Sequence, residues 1–148
     1  MDTITARWSG NRQFVAWDRA GHGVVMDATA EYAGEGTGVR PIEMVLYGLA
    51  GCTAMDVVSI LEKKRQAITG LEVRVNGTQR AEEYPRYYER VEVHFVVTGY
   101  GVAPEAVRRA IELSEEKYCS VKGMFGPQVG MTTTFEIREA LAEGAVQQ

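Results

Sequence analysis

Cysteine is scarce in this chain: Cys52 and Cys119 are the only two in 148 residues. Their wide separation excludes the disulfide framework of a small secreted domain and leaves no closely spaced pair of metal ligands. Basic residues are outnumbered by acidic ones, for a net charge of −4. Nucleic acid is therefore not expected as a general partner, because phosphate binding needs a basic face that releases counterions. No stretch approaches the roughly 18 uninterrupted apolar residues of a membrane span. The start MDTITARW also lacks the apolar run behind a basic end that marks a secretory leader. A cytoplasmic protein with no membrane partner is the expectation. No phosphate-cradling loop or nucleophile elbow occurs, so no cofactor is expected.

What is present is an ordinary globular composition, with 45% hydrophobic and 24% charged residues. A chain of this length buries roughly 68–70% of its unfolded surface and fits one domain, expected over residues 1–139 with a tail at 140–148. Alternating apolar and polar residues separated by glycine turns predict strands at 3–9, 12–17 and 23–29. The glycine-rich AGEGTG at 33–38 reads as a mobile loop. A helix is predicted over 41–65, with Pro41 at its first position, Glu43 in its first turn and the basic EKKRQ at its end. Further alternation predicts strands at 70–80 and 88–99, with polar AEEYPRY as a loop or extended edge between them. A helix at 104–118 with one apolar stripe and a strand at 130–139 complete an α+β order, read as antiparallel sheet packed on helices.

The central helix raises the functional question. Between its ends the polar side chains are Tyr47, Thr53, Asp56 and Ser59, and a helix so apolar must be covered on most sides. One small domain covers it poorly, so a second subunit is the expected cover. Cys52 sits midway along it among Gly48, Ala50, Gly51 and Ala54. A free cysteine in such a place is either apolar filler or a thiolate nucleophile that passes through a sulfenic acid to a disulfide. In a straight helix the nine residues from Glu43 to Cys52 correspond to about 13.5 Å. Charged groups at Cys52 thus require a break at Gly48 or Gly51, or another chain. Near Cys119, Glu115 and Glu116 disfavour a thiolate and Lys122 favours one, a mixture that suits a resolving thiol. A zinc site from Cys52, Cys119, His22 and His94 is disfavoured because none is spaced as a ligand pair. Tyrosines and arginines in EEYPRYYER either stack on a ligand or form a solvated edge.

The segment RPIEMVLYGLAGCTAMDVVSIL, with its mid-helix cysteine, and SEEKYCSV after the downstream helix together resemble the OsmC/Ohr family of osmotically induced and organic hydroperoxide resistance proteins. The order of elements extends the resemblance over nearly the whole chain. It implies an OsmC-like fold, antiparallel sheets wrapped around long central helices in an intertwined homodimer, with sites at the interface. It implies a thiol-dependent peroxidase acting on organic hydroperoxides with a dithiol reductant, Cys52 matching the peroxidatic cysteine and Cys119 the resolving one. The family glutamate's place holds Ile42, with Glu43 one residue later, as in a less characterised branch with the pattern Pro-x-Glu-Met. Tyr32 stands where the OsmC branch has its thiolate-stabilising arginine. The N-terminal Arg7, Arg12 and Arg19 are candidates by analogy with the Ohr branch, and Arg40 is the candidate at the helix start. The alternative is a non-catalytic or redox-sensing dimer of the same fold that keeps an apolar interface pocket.

Overall fold

The computed structural model describes residues 1–141. The chain forms two compact units, Met1–Val45 and Leu46–Gln148. In the first, β1 (Thr5–Gly10), β2 (Gln13–Trp17) and β3 (Gly23–Met26) make an antiparallel meander. The β1–β2 turn is tight because Gly10 and Asn11 both take left-handed backbone, at φ 121° and 45°.

Strand β3 stops three residues earlier than the alternation suggests, and Asp27 is the reason. Its buried carboxylate accepts hydrogen bonds from the backbone N–H groups of Ala28, Glu35 and Thr37 and from the Thr37 hydroxyl. Asp27 N–H in turn donates to Val39 O, and Val39 pairs in parallel with Met26. The segment expected to be mobile, residues 33–38, is thereby tied to the sheet. Its glycines serve close approach: a Cβ on Gly34 would lie 2.0 Å from Ala28 O, and one on Gly38 would lie 2.5 Å from Val25 O.

In the second unit lies most of α1 (Glu43–Lys63), which runs unbroken through Gly48 and Gly51. It ends where Arg65 turns left-handed at φ 56°, with Arg65 N–H donating to Glu62 O and Gln66 N–H to Leu61 O. Both bonds satisfy carbonyls that the helix end would otherwise leave bare. One stripe of α1 is buried, Leu49, Thr53, Val57 and Leu61, each four residues from the last. Val45, Tyr47 and Met55 remain exposed, Met55 at 73%. By length and composition α1 matches a membrane span, with mean hydropathy 1.7. The core helix of a globular protein meets the same description, and α1 buries one stripe of its surface.

Strands β4 (Ala67–Gln79) and β5 (Tyr88–Tyr100) form a long antiparallel hairpin, and β6 (Gly130–Glu139) lies on the other side of β5. The β5–β6 pairing is parallel, which corrects the all-antiparallel expectation. Parallel neighbours need a crossover, and α2 (Pro104–Leu113) with the turns after it supplies one. The helix expected over 104–118 is α-helical only to Leu113, and a π-helical turn occupies Ser114–Tyr118. The inward side of β5, Val91, Val93, Phe95 and Val97, is buried along with Val107, Ala110 and Ile111 of α2. Each large apolar side chain there contributes roughly 1.5–3 kcal/mol. In the β4–β5 loop Arg80 stacks over Tyr87 and Arg86 over Tyr84, so these rings and cations engage each other.

Two outcomes follow. Gly34→Ala forces backbone apart and should cost about 2 kcal/mol or more in urea unfolding, whereas Gly123→Ala, with nothing within 4 Å of the added Cβ, should stay within about 0.5 kcal/mol. The Thr37 N–H and hydroxyl hold Asp27 below its ordinary 3.8, at about 2. A depressed folded-state value means that the contribution is complete above about pH 4 and is lost as pH falls towards 2. The stability advantage of the wild type over Asp27→Asn should therefore shrink across that window in acid titrations.

Candidate functional site

Cys52 lies midway along α1 and is half-buried; Cys119 follows the π-helical turn and is buried. Both are free thiols. The fold brings them together with Asp56: the two sulfurs and a carboxylate oxygen of Asp56 all lie within 4.8 Å of one another. Asp56 is four residues after Cys52, so both project from one face of α1.

A chain of hydroxyls positions this group. Ser114 is fully buried and donates from Oγ to Asp56 Oδ2 at 2.9 Å. Thr53 Oγ1 lies 3.0 Å from Ser114 Oγ. With the single Ser114 proton committed to the carboxylate, Thr53 is the donor in that bond. The π-helical turn closes with Cys119 N–H donating to Ser114 O at 2.8 Å, so the residue that orients Asp56 also fixes Cys119.

Burial, first, pushes the Cys119 thiol up to about 11, and the nearby Cys52 and Asp56 add to it, while the Lys122 backbone N–H opposes it. That N–H donates to Cys119 Sγ at 3.4 Å. The Lys122 ammonium is paired instead with Glu115, at 3.7 Å. Glu115 also accepts from the Thr133 hydroxyl. The expected contest of Glu115 and Lys122 over Cys119 is thus settled mainly between themselves. Cys119 keeps its proton at neutral pH.

A cleft of about 330 Å³ opens from Asp56, with Ile60 and Leu113 as apolar wall and Lys63, Lys64 and Tyr118 among its other lining residues.

The other anticipated residues behave differently. In the first unit Arg40 Nη2 donates to Glu43 Oε1 at 2.7 Å, and Arg40 backbone N–H donates to Glu43 Oε2 at 3.1 Å. The guanidinium bond is the main cause that holds Glu43 below its ordinary value. The backbone bond is the reciprocal half of a helix-capping box. Arg7 stacks over Trp17. His22 bonds Asp18, and His94 bonds the Thr134 hydroxyl across β5 and β6, so neither histidine belongs to the thiol cluster. Asp56, Ser114 and Thr53 are the residues that sequence reasoning missed. An acid four residues after a mid-helix cysteine was the available signal.

Two sheets, a long apolar helix and a thiol pair that joins this helix to the turn after α2 define an α+β protein of the thiol-bearing OsmC type. The family model described as OsmC-like protein matches residues 34–134. Protein YhfA of Escherichia coli K12 is 39% identical over 131 residues, covering 88% of this chain and 94% of YhfA. A hypothetical protein of Aquifex aeolicus VF5 superposes with a TM-score of 0.82 at 28% identity, over 95% of this chain and 98% of the other. An organic hydroperoxide resistance protein of Elizabethkingia anophelis superposes with a TM-score of 0.74 at 14% identity, over 93% and 96% of the two chains, a likeness of fold alone. The chain belongs to the OsmC-like family.

In Cys52→Ser, Cys119 is the sole thiol, and burial, the largest cause of its shift, remains. Ultraviolet thiolate absorbance of that variant should therefore rise only well above pH 9, towards 11. A titration completed near the ordinary thiol value would contradict the burial argument.

Proposed function

We propose that this chain is a thiol-dependent peroxidase for organic hydroperoxides, acting as a homodimer. The observation that carries the reading is the approach of the Cys52 and Cys119 sulfurs, within 4.8 Å, in a family with a hydroperoxide resistance protein of the same fold. Cys52, as thiolate, attacks the terminal oxygen of ROOH. The O–O bond breaks, the alkoxide leaves and is protonated to the alcohol, and Cys52 becomes a sulfenic acid. The Cys119 sulfur then attacks the Cys52 sulfur. Its proton leaves with the displaced hydroxide as water, and a disulfide remains. An external dithiol returns both thiols.

Because α1 does not break at Gly48 or Gly51, the start of the same helix lies about 13.5 Å along the axis from Cys52, and a second chain is the source of positive charge assigned to its thiolate. Arg40, with Glu43 as its orienting carboxylate, is assigned that role. A dimer also covers the exposed apolar side of α1 around Tyr47 and Met55. A Cβ on Gly48 or Gly51 would meet only ordinary contacts, at 3.7 and 3.9 Å, so packing among the described residues leaves room at both positions. Small residues at these positions suit close approach by a partner helix.

One observation favours the second reading, a redox-sensing or binding dimer. The charged group beside the Cys119 sulfur is a carboxylate, which adds to the upward shift of that thiol.

Stoichiometric cumene hydroperoxide followed by mass spectrometry separates the two. A Cys52–Cys119 disulfide should form, catalytic consumption with dihydrolipoamide should follow, and Cys52→Ser should abolish both. Free thiols left unchanged would overturn the peroxidase reading, and a disulfide without turnover would leave the sensor. Sedimentation of the same samples at twice the chain mass tests the dimer.

A further inference from the structure

Cys52, Asp56 and Cys119 converge more closely than a redox pair alone requires. A disulfide needs two sulfurs; here a carboxylate oxygen completes a triangle whose corners all lie within 4.8 Å. We infer that the reduced protein binds a zinc-type divalent ion through Cys52 Sγ, Cys119 Sγ and one carboxylate oxygen of Asp56. The fourth position is left to water or an exogenous ligand.

The donor set selects the ion. Two sulfurs and one oxygen suit a borderline-soft cation such as Zn²⁺ and disfavour Mg²⁺ or Ca²⁺, which prefer oxygen throughout. Zn–S bonds of about 2.3 Å and a Zn–O bond of about 2.0 Å in a tetrahedron place the sulfurs about 3.8 Å apart and each sulfur about 3.5 Å from the oxygen, so ligation needs a closure of roughly 1.3 Å at most. Cys52 and Asp56 stand at i and i+4 on α1, the spacing that points two ligands at one ion from a helix face. The third ligand comes from the crossover connection, far from the other two in sequence.

The surroundings resemble those of a built metal site. Ser114 Oγ donates to Asp56 Oδ2 and so fixes the carboxylate beside the two sulfurs. Thr53 fixes Ser114 in turn. The Lys122 backbone N–H aimed at Cys119 Sγ offers the hydrogen bond that stabilises a metal-bound thiolate. Cys52 is only half-buried, so one corner of the triangle is reached from solvent.

Metal and disulfide exclude each other, because the same two sulfurs serve both. The ion would therefore protect the thiols, and oxidation would release it. This claim stands apart from the peroxidase reading, since binding is measured without peroxide.

The test uses the full chain, reduced and freed of metal with a chelator, titrated with Zn²⁺ against a chromophoric chelator and with Co²⁺ by absorption. One ion per chain should bind, and Co²⁺ should give intense tetrahedral d–d bands with a sulfur-to-cobalt charge-transfer band. Cys52→Ser and Cys119→Ser should each cut the charge-transfer intensity by about half or more, and Asp56→Asn should weaken Zn²⁺ binding at least about tenfold. Oxidation of the wild type with diamide should release the ion and dithiothreitol should restore the site, a measurement that needs no variant to fold. Failure of the reduced chain to compete for Zn²⁺, or affinity unchanged in Asp56→Asn, would overturn the assignment. Metal binding by the reduced chain, with no peroxide turnover after a chelator has removed the ion, would overturn only the enzymatic reading.

Discussion

The hydroxyl of Ser114 is the interaction on which the site depends. It is fully buried, so its proton and lone pairs must find partners inside the protein, and they find Asp56 and Thr53 on α1. Its carbonyl accepts the Cys119 N–H, five residues on, which is the defining bond of the π-helical turn. One residue thus joins α1 to the crossover through its side chain and sets Cys119 through its backbone. Had α2 continued with ordinary spacing, Tyr118 rather than Cys119 would have closed on the Ser114 carbonyl, and Cys119 would have been rotated away by about one residue's turn. The extra residue is what aims the second thiol.

How much of this the sequence discloses depends on the range of the interactions. Alternation in YERVEVHFVVTGY marks a strand because each inward side chain reports its own burial. Pro41, Glu43 and EKKRQ mark α1 because helix-end effects are local. The parallel partnering of β5 and β6 depends on where a crossover returns, and no local pattern records that. The stretch AGEGTG misleads for a related reason. Glycine permits mobility and close approach alike, and only Asp27, six residues before Gly34's neighbour Ala33, decides between them. Likewise Cys52 was legible as a candidate thiol, whereas Asp56 looked like an interruption of an apolar surface until Ser114 and Cys119 were placed beside it.

The chemistry of the cluster is governed by one electrostatic conflict. Attack on an O–O bond needs a thiolate, but burial and an adjacent carboxylate both favour the protonated thiol, as the elevated Cys119 shows. Within the cluster the groups that favour negative charge are hydrogen-bond donors, the Ser114 hydroxyl on Asp56 and the Lys122 N–H on Cys119. Donors of that kind orient charge without cancelling it. A cation supplied from outside would resolve the conflict: an arginine from a second chain would favour a thiolate at Cys52, and a divalent ion would draw both sulfurs and the carboxylate at once. The two differ in reach. A guanidinium beside Cys52 leaves Cys119 protonated and able to resolve a sulfenic acid, whereas an ion shared by all three donors commits both sulfurs and silences the pair. The position of Asp56, close to both sulfurs rather than to one, is what makes the second possibility specific to this arrangement.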